Sequence, residues 1–200
     1  MLYRIIWLIC WVLCKILFRL RITGKNNISS SGPLIVVANH NSYVDPVVLA
    51  LAFRRRIYFM AKSELFKIPL FGAFIRALGA FSVERGEPDR RALRRALEIL
   101  AGGRILGIFP EGTRIRRPGL GEMEPGTAII ALKSDAPVLP VGITGSDRVM
   151  PEGTHLPHFP HITVNVGEPI SLSSEGDLSS KREQIAKACD QISEAIEKLL

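Results

Sequence analysis

Cysteine is scarce in this chain, and the three present, Cys10, Cys14 and Cys189, cannot close a disulfide framework. A reducing, cytosolic setting follows, with Cys10 and Cys14, one helical turn apart, expected to be plain apolar surface. No cluster of Cys, His or carboxylates has metal-ligand spacing, so no metal is expected. His155, His158 and His161 fall in and beside a stretch bearing Pro and Gly, 151–160, which reads as a surface loop. Acidic residues are missing altogether before Asp45, whereas Arg4, Lys15, Arg19, Arg21 and Lys25 all precede it. There is no zinc-finger or RNA-motif signature and no stretch interleaving basic residues with aromatics, so nucleic acid is not an expected partner. A GxSxG nucleophile elbow and a cysteine beside a histidine are also lacking, which argues against a covalent intermediate.

A long uninterrupted apolar run is absent too. Residues 2–20 are strongly apolar, but Lys15 and Arg19 break the run short of the roughly 20 residues a membrane span needs. No small-residue cleavage site follows, which excludes a signal peptide. The expectation is a helix lying in a membrane interface, with Arg4, Lys15 and Arg19 reaching lipid phosphates and Ile5, Trp7, Leu8, Trp11 and Phe18 entering the headgroup boundary; a helix packed on its own domain and a short tilted span are the alternatives. Lys and Arg outnumber Asp and Glu by 26 to 19, and the excess flanks this segment, which favours an anionic lipid surface as the partner.

What the chain does have is enough apolar content, 47% of 200 residues, for one sizeable core. The division expected is a membrane-associating helix over 1–21 and one domain over 22–200. Within the domain, strands are predicted at 33–38, 57–60, 105–109, 138–143 and 162–166, with a short one near 79–85. Helices are predicted from Asp45-Pro46, over 65–78 with a break at Pro69, from Pro88 to Gly102-Gly103, over 126–133 and at the C-terminus. The Pro88 helix should present Leu93, Ala96, Leu97 and Leu100 on one apolar face. Alternating strands and helices predict an α/β sandwich with a mostly parallel central sheet flanked by helices, whose sites gather beyond the strand ends.

Two constellations there carry chemistry. In Asn39-His40-Asn41-Ser42-Tyr43-Val44-Asp45 a histidine follows a strand and an aspartate opens a helix. A carboxylate on one imidazole nitrogen sets the tautomer, leaving the other nitrogen free to take a proton from an alcohol. In Phe109-Pro110-Glu111-Gly112-Thr113-Arg114, followed by Arg116 and Arg117, glycine permits close backbone approach, Thr113 offers a hydroxyl and Arg114 a fork for phosphate. Each pattern alone is also compatible with a helix cap or an ordinary turn.

Taken together, the blocks resemble the glycerolphosphate and lysophospholipid acyltransferases, of which the 1-acylglycerol-3-phosphate acyltransferases are the small bacterial form. Asn39 to Asp45 (NHxxxxD), Gly79 to Arg85 (GxxFxxR), Phe109 to Arg114 (FPEGTR) and Val138-Leu139-Pro140-Val141 match in order, with Lys62 to Gly72 between the first two. Ile115 stands where the family often has serine. The resemblance implies that His40 is the catalytic base and Asp45 its partner. It further implies that Arg85 and the turn Glu111, Gly112, Thr113, Arg114 bind the acceptor's phosphate, with Lys62 as a further member. It implies acyl transfer from acyl-CoA or acyl carrier protein, as substrate rather than cofactor, to the sn-2 hydroxyl of lysophosphatidic acid, making phosphatidic acid. The expected location is the cytoplasmic face of the cell membrane. Acylation of another lysophospholipid, hydrolysis by the same His–Asp pair and non-catalytic lipid binding are the alternatives.

Overall fold

The computed structural model describes residues 2–84, 89–115, 118–151, 153–154, 156–172 and 180–200. Seven strands, β1 (Arg21–Thr23), β2 (Leu34–Ala38), β3 (Ile57–Lys62), β4 (Phe81–Val83), β5 (Ile105–Ile108), β6 (Val138–Thr144) and β7 (Thr163–Val166), form one sheet. Its order is β1-β7-β6-β2-β5-β3-β4, and only the β6–β7 pair is antiparallel. The helices are α1 (Leu2–Leu17), α2 (Asp45–Ala52), α3 (Phe71–Leu78), α4 (Arg90–Ala101), α5 (Pro125–Ser134) and α6 (Lys181–Glu197).

The unbroken apolar run of β2 is explained by its place between β5 and β6, where both faces are covered. Leu34, Val36 and Ala38 enter one core with Ile105, Leu139, Val141, α2 and part of α1. Ile35 and Val37 point the other way, into a core shared with α4, α5 and α6. The result is the expected sandwich of helices, sheet and helices. Pro140 is tolerated within β6 because β6–β7 pairing runs from Thr144 only to Val141, and Pro140 contributes a carbonyl to the Gly167 N–H.

Two expectations need correcting. On α1, Trp7, Trp11 and Phe18 do not share a face with Ile5 and Leu8. Trp7 donates its indole N–H to the Ala50 carbonyl at 3.2 Å, Trp11 packs beside it, and Cys14 and Phe18 are buried in the core. Helical spacing puts 7, 11, 14 and 18 on the stripe facing α2, which leaves Ile5, Leu8, Ile9, Val12, Leu13 and Ile16 outward. Cys14 is therefore core rather than surface, and burial pushes its thiol up to about 11. Lys15 and Arg19 stay exposed while bonding to the domain, Lys15 to the Leu20 carbonyl at 2.7 Å and Arg19 to His161. On α4 the buried face is Ala92, Ala96, Ile99 and Leu100, with Leu93 and Leu97 only half-buried. Asp89 caps that helix by accepting the Arg91 and Ala92 N–H groups, while Pro88 lies outside the described residues.

Candidate active site

The C-terminal ends of the parallel strands β2, β5 and β3 converge on one edge of the sheet. β2 ends at Ala38, and Asn39 continues it with its side chain: the amide oxygen accepts the Ile143 N–H at 2.7 Å and the amide nitrogen donates to the Ile143 carbonyl at 2.9 Å. This pins the next residue, His40, beyond the strand. Its Nδ1 lies 3.1 Å from Asp45 Oδ2, and Asp45 is fully buried at the first position of α2. The same carboxylate oxygen accepts the backbone N–H groups of Asn41 (2.7 Å) and Ser42 (2.6 Å), so the loop wraps around it. A helix N-terminus suits that negative charge. With Nδ1–H donated to Asp45, His40 keeps its Nε2 lone pair free.

The imidazole plane is set by an aromatic stack that sequence reasoning missed. Phe109, just past β5, lies 4.2 Å from the His40 ring, and Phe59 of β3 stacks on Phe109 at 5.9 Å. The signal was the aromatic opening the FPEGTR block.

The turn that follows holds His40 from both sides. The Ile115 N–H donates to the His40 carbonyl at 3.0 Å. Glu111, only 6% exposed, accepts the His40 N–H on Oε2 at 2.8 Å and the Gly121 N–H on Oε1 at 3.1 Å. Burial pushes its carboxyl up to about 7, against the pull of those two amides and with a smaller push from Asp45. Its place among the expected phosphate ligands is thus at odds with the geometry. A carboxylate turned inward onto two backbone amides organises the turn, whereas an anionic headgroup would repel it. Gly112 closes the turn onto the Phe109 carbonyl with φ of 65°, a conformation that glycine adopts freely.

Arg114 is brought to the His40 loop, its guanidinium stacked 3.3 Å from the centroid of the exposed Tyr43 ring. Thr113 is exposed beside it. Lys62 ends β3 on the same edge of the sheet and forms an exposed ion pair with Glu64 at 2.9 Å. Arg85, Arg116, Arg117 and His155 lie outside the described residues, although the register Lys62↔Val83 brings β4 to Lys62 two residues before Arg85. Among the described residues no three His, Cys, Asp or Glu side chains gather as a metal site would. The arrangement is a base with an open nitrogen beside a turn bearing a cation, suited to deprotonating a hydroxyl on an anionic molecule.

The family model described as Acyltransferase matches residues 19–144. A chloroplastic 1-acyl-sn-glycerol-3-phosphate acyltransferase of Arabidopsis thaliana is 30% identical over 86% of this chain and 50% of its own length. The 1-acyl-sn-glycerol-3-phosphate acyltransferase of Bacillus subtilis (strain 168) is 27% identical over 95% of this chain and 94% of its own. The chain thus spans about half the length of the plant relative and nearly all of the bacterial one. The crystal structure of the 1-acyl-sn-glycerophosphate (LPA) acyltransferase of Thermotoga maritima superposes with a TM-score of 0.74 at 30% identity, over 98% of this chain and 80% of that one. The match over well over half of its length, carrying both the His40–Asp45 pair and the FPEGTR turn, makes this chain a member of the acyltransferase family.

Proposed function

We propose that the protein transfers a fatty acyl group from acyl-CoA or acyl carrier protein to the sn-2 hydroxyl of 1-acyl-sn-glycerol-3-phosphate, producing phosphatidic acid for phospholipid synthesis. The observation that carries this reading is the His40 ring, fixed by Asp45 and Phe109, with Nε2 free beside the Arg114 turn. The relatives named above for this acyl transfer support it.

His40 Nε2 takes the hydroxyl proton as the acceptor oxygen attacks the thioester carbon, and Asp45 stabilises the imidazolium that forms. Collapse of the tetrahedral intermediate forms the ester and breaks the C–S bond, and the departing thiolate recovers the proton from His40. Arg114, with Thr113 and the Gly112 backbone, binds the acceptor's phosphate, joined by Arg85 and by Lys62 at the end of β3. The outward face of α1, where Ile5, Leu8, Ile9, Val12, Leu13 and Ile16 stand exposed, rests on the cytoplasmic face of the cell membrane.

The test is thiol release by the purified protein with each donor and a panel of lysolipids. Release that depends on acceptor, with phosphatidic acid as product, is expected; release without acceptor identifies a hydrolase. Arg114→Ala should lower kcat/KM for the phosphate acceptor roughly 10- to 150-fold, with Arg114→Lys recovering part. Use of a monoacylglycerol without phosphate should hardly change. An equal loss on both acceptors removes Arg114 from phosphate binding.

A further inference from the structure

The segment between β3 and β4 is built to hold large apolar side chains away from the protein. After the 3-10 turn Ser63–Lys67, Leu70 adopts φ 62° and ψ −48°, and the Phe71 N–H donates to the Pro69 carbonyl at 2.6 Å. A bond from i+2 to i around a positive-φ residue is the rarer, strained kind of γ-turn. A leucine there is costly, and nothing inside the chain offsets the cost, because its side chain is 88% exposed. Ile68, Phe71 and Phe74 stand exposed around it.

The projection is firmly held. The Gly72 N–H donates to the Ile68 carbonyl and the Phe74 N–H to the Leu70 carbonyl, each at 2.9 Å. Gly72 sits so close to the Phe66 backbone that any side chain would collide with it, and the Arg76 guanidinium covers the Phe66 ring. Strain concentrated at a rigid, displayed apolar apex marks a surface that meets something else.

Three features favour a lipid surface as that partner. Lys67 and Arg76 flank the apex as exposed cations, which suits an anionic boundary. Arg56 joins α3 to α1: it donates to the Leu78 carbonyl at 3.0 Å and to the Ala77 carbonyl, and its guanidinium lies 5.5 Å from the Tyr3 ring. The apex therefore belongs to an element tied to the helix that displays the other run of exposed apolar side chains. The segment also starts at Lys62, on the edge of the sheet that carries His40.

We propose that Ile68, Leu70, Phe71 and Phe74 form a second membrane-contacting element, which inserts into an anionic bilayer surface beside α1 and holds the site's edge against the lipid acceptor. The inference rests on the membrane-surface reading given under Proposed function. Leu70→Trp in the full chain, read as the difference from the parent that carries Trp7 and Trp11, is the probe. On phosphatidylcholine and phosphatidylglycerol vesicles the added emission should shift to the blue and fall at least about twofold with brominated acyl chains. Leu70→Gly, which relieves the turn and deletes the side chain, should raise Tm while lowering kcat/KM for a vesicle-borne acceptor about tenfold, leaving a dispersed short-chain acceptor unaffected. If vesicles float the chain while the added Trp keeps its aqueous emission, the proposal fails and the membrane reading stands; if the chain does not float, both fail. A shift produced by acyl-CoA alone, or a dimer dissociated by Leu70→Gly, assigns the apex to an acyl groove or a second copy and equally overturns it.

Discussion

His40 is held at four points: its ring by Asp45 and Phe109, its amide by Glu111 and its carbonyl by Ile115. His40→Ala should lower turnover about 10²- to 10⁴-fold without altering vesicle binding, and a near-normal rate in detergent micelles would sink the proposed mechanism. Asp45→Asn should be milder on turnover. An asparagine oxygen can still accept the Asn41 and Ser42 N–H groups that Asp45 Oδ2 holds, but it lacks the charge that stabilises the imidazolium. Glu111 separates positioning from binding. Glu111→Ala leaves two backbone N–H groups unpartnered, so kcat should fall more than about tenfold with KM for the phosphate acceptor nearly unchanged. A rise in KM at constant kcat would return Glu111 to the acceptor site.

Among the elements, α1 presents two opposite faces, one packed on the core and one exposed, for which membrane contact is proposed. Deleting it would not separate the exposed face from folding, because Cys14 fills the core and Trp7 and Trp11 pack against it. The two faces are separable by point substitution. Leu8→Asp with Ile16→Asp should release the protein from vesicles with little change in Tm, because both side chains already face solvent. Phe18→Ala should cost about 3 to 5 kcal/mol by leaving a cavity, read by urea unfolding, and leave vesicle affinity intact in the folded fraction. Equal effects of the two changes on stability would mean that the outward face is covered by protein. The helical period made α1 legible in the sequence and puts Tyr3, Trp7, Trp11 and Phe18 on one stripe, but in a helix this apolar the spacing does not reveal whether that stripe or the opposite one meets the domain.

At the scale of the whole molecule, Glu111 links protonation to stability. Its carboxyl stands at about 7 in the fold against 4.5 ordinarily, so the native state binds the extra proton between those values. Stability from this group is therefore greatest below about pH 4.5 and declines as pH rises to about 7, by up to about 3 kcal/mol at 1.36 kcal/mol per unit. Urea unfolding of the parent and Glu111→Gln at pH 5 and pH 8 checks this. The parent should lose stability relative to the variant at the higher pH, and the opposite trend would show an ionised carboxylate favoured by its two amides. The sequence by itself determined the α/β order, the buried central strand, the His40–Asp45 pair and the FPEGTR turn, because these are local: periodicity, caps and spacing act over a few residues. The short β1 was not legible, since three residues, one exposed and two half-buried, form a strand only when β7 lies beside them. The inward turn of Glu111 and the Phe59–Phe109–His40 stack were likewise decided by the tertiary structure. A carboxylate in a basic turn signals solvent or substrate until the fold brings two unpaired amides within its reach, and ring stacking depends on strands distant in sequence meeting side by side.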